Sequence, residues 1–287
     1  MSETPQNQEQ EKKLDPRVES LASPLARDYA EKNYPKIGED EDGKSIFEPA
    51  WRGANGEKDL RGKSPEDIAK DLVANGWTQE SASAVAATSV VDIANASYDE
   101  FSDYWKEQNR GGAEYLISLL DENGSDTLRG LDLSDPEVRS EFGALVHDNW
   151  ISRNEWVKHP EWGNPDLAKP FDGLSVEEQQ KDIDQLGVLQ DWLNGQILDE
   201  FGYSKEEIAD CREMLTLQKE VGTRLVEENP EQYDPRLGKD EAINRQVASE
   251  EIVAEALGKP FNSRRVYGYD DIVSGRPRSS WAGRFKE

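Results

Sequence analysis

Apolar positions along this chain recur at helical spacing and almost never alternate. In "KSPEDIAKDLVANG", Ile68, Leu72 and Val73 make one stripe. Ser64 stands at the N-cap, Pro65 opens the first turn and Gly76 follows the end. "TQESASAVAATSVVDIANA" reads as a helix of small residues that a neighbouring helix can approach closely. "SYDEFSDYWKEQN" opens with a capping box, Ser97 to Glu100, and Gly111-Gly112 separates it from "AEYLISLLDENG". In "SDPEVRSEFGALVHDNWISRNEWV", Ser134, Pro136 and Glu137 start a helix. Phe142, Leu145, Val146, Asn149, Trp150 and Arg153 share one of its faces. Ser175 and Glu178 cap another, with Ile183, Leu186, Leu189, Trp192, Leu193 and Ile197 on its apolar side. Ser204 and Glu207 begin the next, and a last helix is expected from about Asp240 to Leu257.

The connecting stretches are irregular. Residues 1–20 are polar and predict a disordered tail. "SPLARDYAEKNYP" predicts a short helix stopped by Pro35, followed by a loop and the extended "IFEPAWRGANG". The segment from Lys259 is rich in Gly, Arg and Ser and locally basic, which predicts an extended arm lying on the acidic body or on a partner. No internal repeat is evident, which argues against a solenoid. The pattern as a whole predicts an all-α fold, a multi-helix bundle with a long irregular N-terminal segment and an extended C-terminal arm. The expected divisions are a tail (1–20), a mainly helical region (21–130), a helical module (131–205), helices packing on it (206–258) and a basic arm (259–287).

Charge narrows the functional classes. The 287 residues carry a net charge of −26, with 33% charged and 35% hydrophobic residues. Such a chain is excluded from generic phosphate-neutralising contact with nucleic acid and is repelled by anionic membranes. No apolar run approaches a membrane span, and "MSETPQNQEQEKK" lacks the apolar stretch of a secretory leader. The single cysteine, Cys211, permits no intramolecular disulfide and fits a reducing, cytoplasmic setting. It keeps step with Ile208 and Leu215 and is expected to be a small core residue.

The rarest residues cluster. "VHDNWISRNEWVKHPEW" holds both histidines, His147 and His159, and three of the eight tryptophans. The histidines lack the i,i+4 spacing of a helical metal motif, so no metal is expected. No phosphate-binding loop, dinucleotide fingerprint or nucleophile elbow is present, so neither catalysis nor a cofactor is expected. The pairs Glu177-Glu178 and Glu206-Glu207 sit in first helical turns, where the macrodipole accounts for them. Trp150 ends a helix face, Trp156 and Trp162 bracket "VKHPE", and Phe171 follows Pro170. Two uses fit these aromatics: anchors of a core, or a stacking wall for a flat ligand. In the second use Trp150, Trp156, Trp162, Phe171 and His159 form the wall, and Arg153 and Lys158 meet phosphates.

His147 and Trp150, then Pro170, Phe171 and Leu174, then Glu177, Glu178, Lys181 and Asp182 follow one another in a familiar order. "FGY" at Phe201 to Tyr203 comes next. Over roughly residues 140–205 this resembles the ryanodine-receptor repeat (RyR domain) of the bacterial and phage type. The loop departs from it, carrying His159-Pro160 in a rearranged order. The resemblance implies a small helical module and a nucleotide-type ligand. The expectation is therefore a non-enzymatic binding protein that recognises such a ligand. The alternative is an acidic phage or host-interaction protein that acts through protein contacts, with DNA mimicry as its sharpest form.

Overall fold

The computed structural model of the protein describes residues 15–228 and 263–275, apart from 42, 160 and 162. These residues are mainly helical, with two small two-stranded sheets. They form two compact units, 15–124 with 132–189, and 125–131 with 190–228 and 263–275.

The first unit is organised by a long-range helix pair. Helix α1 (Pro16–Asn33) is capped by Asp15, whose carboxylate accepts from the Arg17 N–H at 2.9 Å. Val18, Leu21, Ala22 and Leu25 form its buried stripe. The tail expected over residues 1–20 therefore gives way to helix at Pro16. The pair Ser23-Pro24 imitates a helix start, yet Pro24 lies inside α1. An interior proline removes one backbone hydrogen bond, and burial along α4 offsets that loss.

Helices α2 (Pro65–Ala74) and α3 (Gln79–Ser89) make a hairpin capped by Ser64 and Thr78. Its small core holds Ile68, Ala69, Ala82, Ala86 and Val90. The expected small-residue helix is shorter than its sequence suggested. It stops at Ser89, and Val90–Asp92 (β4) pairs antiparallel with Trp51–Gly53 (β3). The β-branched Val90 and Val91 suit a strand. The other sheet pairs Lys36–Glu39 (β1) with Ser45–Phe47 (β2).

Helix α4 (Asp103–Asn123) packs along α1 and also meets α6 (Pro136–Arg153), and Ala113, Leu116, Ile117, Leu119 and Leu120 are its buried apolar residues. Arg17 also reaches Asp121 at 2.7 Å, and Arg110 Nε donates to Glu19 at 2.6 Å. The capping box Ser97–Glu100 closes a 3-10 turn before α4 rather than the helix itself. Gly111 and Gly112 do not break α4, which runs through them. A Cβ at Gly111 would lie 2.9 Å from Nη1 of Arg153. These glycines let a side chain from α6 rest on the α4 backbone. Helix α6 is capped by Asp135, one residue after the expected Ser134.

Helix α7 (Val176–Glu200) contributes its first part, with Ile183, Leu186 and Leu189 buried, to the first unit. Its remainder belongs to the second unit, with α5 (Ser125–Arg129), α8 (Lys205–Glu228) and α9 (Ser263–Val273). Gln190 there donates to the carbonyls of Leu128 and Leu131, both at 2.9 Å, satisfying groups that the short α5 leaves over. Gly202, at φ 68°, ends α7 and lets the Tyr203 N–H reach the Leu198 carbonyl. Ile197, Leu198, Tyr203, Cys211, Met214, Val266, Tyr269 and Ile272 form this unit's core. Burial pushes the Cys211 thiol up to about 11, which suits a packing role. The arm expected to be extended from Lys259 contains helix α9. The helix expected over Asp240 to Leu257 and the remainder of the arm lie outside the described residues.

Leu116 on α4 is fully buried. Leu116→Ala is expected to lower the unfolding free energy by about 2–5 kcal/mol, measured by urea denaturation.

Candidate functional site

The opening cluster of rare residues divides into a buried half and a half-buried half. His147 lies on the inner face of α6, 3% exposed. Its Nε2 is 2.9 Å from the Lys169 carbonyl oxygen, which only accepts, so Nε2 carries hydrogen. Its Nδ1 is 3.1 Å from Oδ2 of Asp182 on α7. A hydrogen bond there requires one proton held between ring and carboxyl. Burial pushes the Asp182 carboxyl up to about 6, against the pull of His147 and Lys181. The imidazole plane also lies along Trp150, with ring centroids 6.2 Å apart and planes 17° from parallel.

Phe171 belongs to this buried half. It packs so tightly on Gly143 that a Cβ there would lie 2.4 Å from its Cζ and 3.0 Å from Cδ1 of Ile183. The wall expected to include Phe171 therefore loses it to the core, because the bare α6 backbone at Gly143 makes room for its ring.

The other half is more open. Trp150 and Trp156 meet edge to face, with centroids 6.3 Å apart. Asn154, which ends α6, donates to the Trp150 carbonyl at 2.9 Å and accepts from the Trp156 indole N–H at 3.0 Å. It fixes both the helix end and the Trp156 edge. Over the face of Trp156 lies Lys58, its ammonium 3.5 Å from the ring centroid. Such contacts contribute about 0.5–2 kcal/mol, more as the cation is desolvated. Desolvation, with Arg61 second, holds the Lys58 ammonium below its ordinary value.

Arg153 is more committed than its place in the sequence suggested. Nε donates to Asn149 at 3.0 Å and Nη1 to the Gln108 carbonyl at 3.0 Å, across the glycine step of α4. It makes no ion pair with the described residues. Burial lowers its basicity. Lys158 is exposed, half-buried His159 accepts from the Glu161 N–H at 3.3 Å, and Trp162 lies outside the described residues. The structure thus brings Trp150, Trp156 and Arg153 to one end of α6. It adds Lys58 and Asn154, which the sequence pattern did not single out.

Among the described residues no three His, Cys, Asp or Glu side chains converge as metal ligands. Nor is any described helix long and apolar enough to cross a membrane.

The sign of the Asp182 contribution follows from its raised folded value. The unfolded reference is about 3.9. The stabilising contribution is fully present below that pH and is lost as pH rises through about 6. Asparagine at this position can still donate to Nδ1. The stability of Asp182→Asn relative to the native protein should therefore improve between about pH 4 and pH 7, in urea titrations across that window. A constant difference would mean that Asp182 ionises alike in both states. Comparison of the chain with protein-family models, curated proteins and solved structures gives no match.

Proposed function

We propose that the chain is a non-enzymatic binding protein whose α6–α7 module takes up a nucleotide-type anion at Trp156. The observation that carries this reading is the cation seated on the indole face, Lys58 at 3.5 Å, with Arg61 adding a second positive charge to its surroundings. A chain of net charge −26 offers an anion little welcome. A cation on an aromatic plane changes that balance over a few ångströms, within the range where salt does not screen it. A base stacks on the indole in place of the Lys58 ammonium, which swings off the ring to meet the phosphates. Arg153 then acts from below by holding the end of α6 on α4. Trp150 and His147 set the edge against which Trp156 stands. The resemblance of this segment to the ryanodine-receptor repeat points to the same ligand class.

A second reading places the function in a protein contact. Trp77, at the turn between α2 and α3, is 47% exposed, with Val73 also exposed nearby in the chain. Glu66, Asp67 and Glu80 share that hairpin, so a partner there would present basic and apolar groups together.

Mono-, di- and cyclic nucleotides, with and without Mg²⁺, should separate the two by thermal unfolding and tryptophan fluorescence. A ligand at a hundredfold excess over its Kd stabilises the fold by about 2.7 kcal/mol. One class should raise the midpoint and quench fluorescence. Trp156→Ala and Lys58→Gln should each abolish that response while the unliganded protein stays folded. A flat panel, or a response that survives both substitutions, would overturn the nucleotide reading.

A further inference from the structure

A separate cavity of about 180 Å³ lies in the first unit, between α1 and residues 93–101. Ala30, Ala94 and Phe101, all buried, line it. Arg27 and Lys44 line it too, as do the exposed residues Ser23 and Ser97. The cavity therefore grades from an apolar interior to a rim of two cations and two hydroxyls.

Its walls are fixed in advance. Asn95 accepts from the Phe47 N–H at 2.8 Å and donates to the Phe47 carbonyl at 3.0 Å. Asp92 accepts from the Ala50 N–H at 2.8 Å. These bonds pin the segment after β4 to the segment around β2. Arg27 is held by Glu31 through Nε at 2.6 Å and lies over the Phe47 ring, 5.2 Å from its centroid. Its terminal nitrogens make no hydrogen bond with the described residues, and Lys44 makes no ion pair with them. Glu31 pairs with the Arg27 Nε, and the Glu100 carboxylate, which takes the Ser97 hydroxyl, feels the charge of Lys44, yet the terminal nitrogens of Arg27 and the Lys44 ammonium are left for a further anion at this apolar opening.

We propose that this cavity binds a short-chain aliphatic monocarboxylate, its tail against Ala30, Ala94 and Phe101 and its carboxylate between Arg27 and Lys44. The volume matches about six water molecules at liquid density, and it is smaller than the pockets of drug-sized ligands. Butyrate has about that many non-hydrogen atoms. The tail leaves water for apolar walls, while the charge stays at the rim, where its desolvation cost is small.

Butyrate titrated into the full chain tests this, followed by saturation-transfer NMR on the ligand and by the melting midpoint. 1-Butanol supplies the tail without the charge, and inorganic phosphate the charge without the tail. Butyrate should bind more tightly than either. Lys44→Gln should weaken it by about fivefold, the upper range for an exposed ion pair. Ala26, half-buried on the cavity wall, can be enlarged without loss of helix propensity. Ala26→Leu should abolish butyrate binding with the melting midpoint retained. Equal binding of butanol and butyrate would overturn the role of the cations. Phosphate binding as tightly as butyrate would overturn the role of the cavity. Native affinity in Ala26→Leu, or no saturation transfer to butyrate, would overturn the site.

Discussion

One buried imidazole sets the geometry of the α6–α7 module. His147 has two ring nitrogens and spends both, one on the Lys169 carbonyl and one on the Asp182 carboxyl. It thereby ties α6 to α7 and to the loop that delivers Phe171. Neither bond survives without the right proton, because the carbonyl needs a donor and the carboxyl needs a proton between it and the ring. A buried polar pair of this kind contributes less net stability than its vacuum strength suggests, but it is costly to leave half-made. The arrangement is therefore a strong specifier of how two helices meet. Phe171 then locks into the space above Gly143, and Trp150 lies along the outer side of the imidazole.

From that fixed end of α6 the half-buried site follows. Asn154 terminates the helix and aims Trp156, and Arg153 lays its guanidinium on the glycine step of α4. A half-buried guanidinium without a carboxylate in direct contact has to satisfy its donors otherwise, and here a backbone carbonyl and an amide side chain do so. The glycines of α4 and the arginine of α6 are thus one feature. Each explains the other, and together they hold the aromatic end of the module against the helix pair that forms the core of the first unit.

Electrostatics is local in this protein. The global charge is strongly negative, yet cations stand at particular apolar places: Lys58 over the Trp156 ring, and Arg27 and Lys44 on the wall of the cavity beside α1. A charge acts over roughly a Debye length, about 8 Å at physiological salt. The sum over the whole chain therefore says little about the potential at either place. The excess acid is spread over helix first turns and exposed faces, where it supports the macrodipoles and solubility.

Local signals in the sequence determined the helices. Ser64-Pro65, Ser175, and Ser204 with Glu207 cap where their residue types require, because capping and helical periodicity act within a turn or two. The all-helical class, the inward face of α7 and the packing role of Cys211 were legible for that reason, whereas α6 turns its expected Leu145 to solvent and buries Gly143 and His147 instead. Tertiary structure decided what local rules leave ambiguous. Ser23-Pro24 and Gly111-Gly112 carry the signature of a start and a break, yet both lie inside helices because long-range packing outweighs a single residue's propensity. Val90–Asp92 becomes a strand only because Trp51–Gly53 is there to pair with it. The proton-sharing partner of His147, the core position of Phe171 and the cation on Trp156 all come from residues far away in the chain. No periodicity links such residues, and only the folded chain brings their chemistry together.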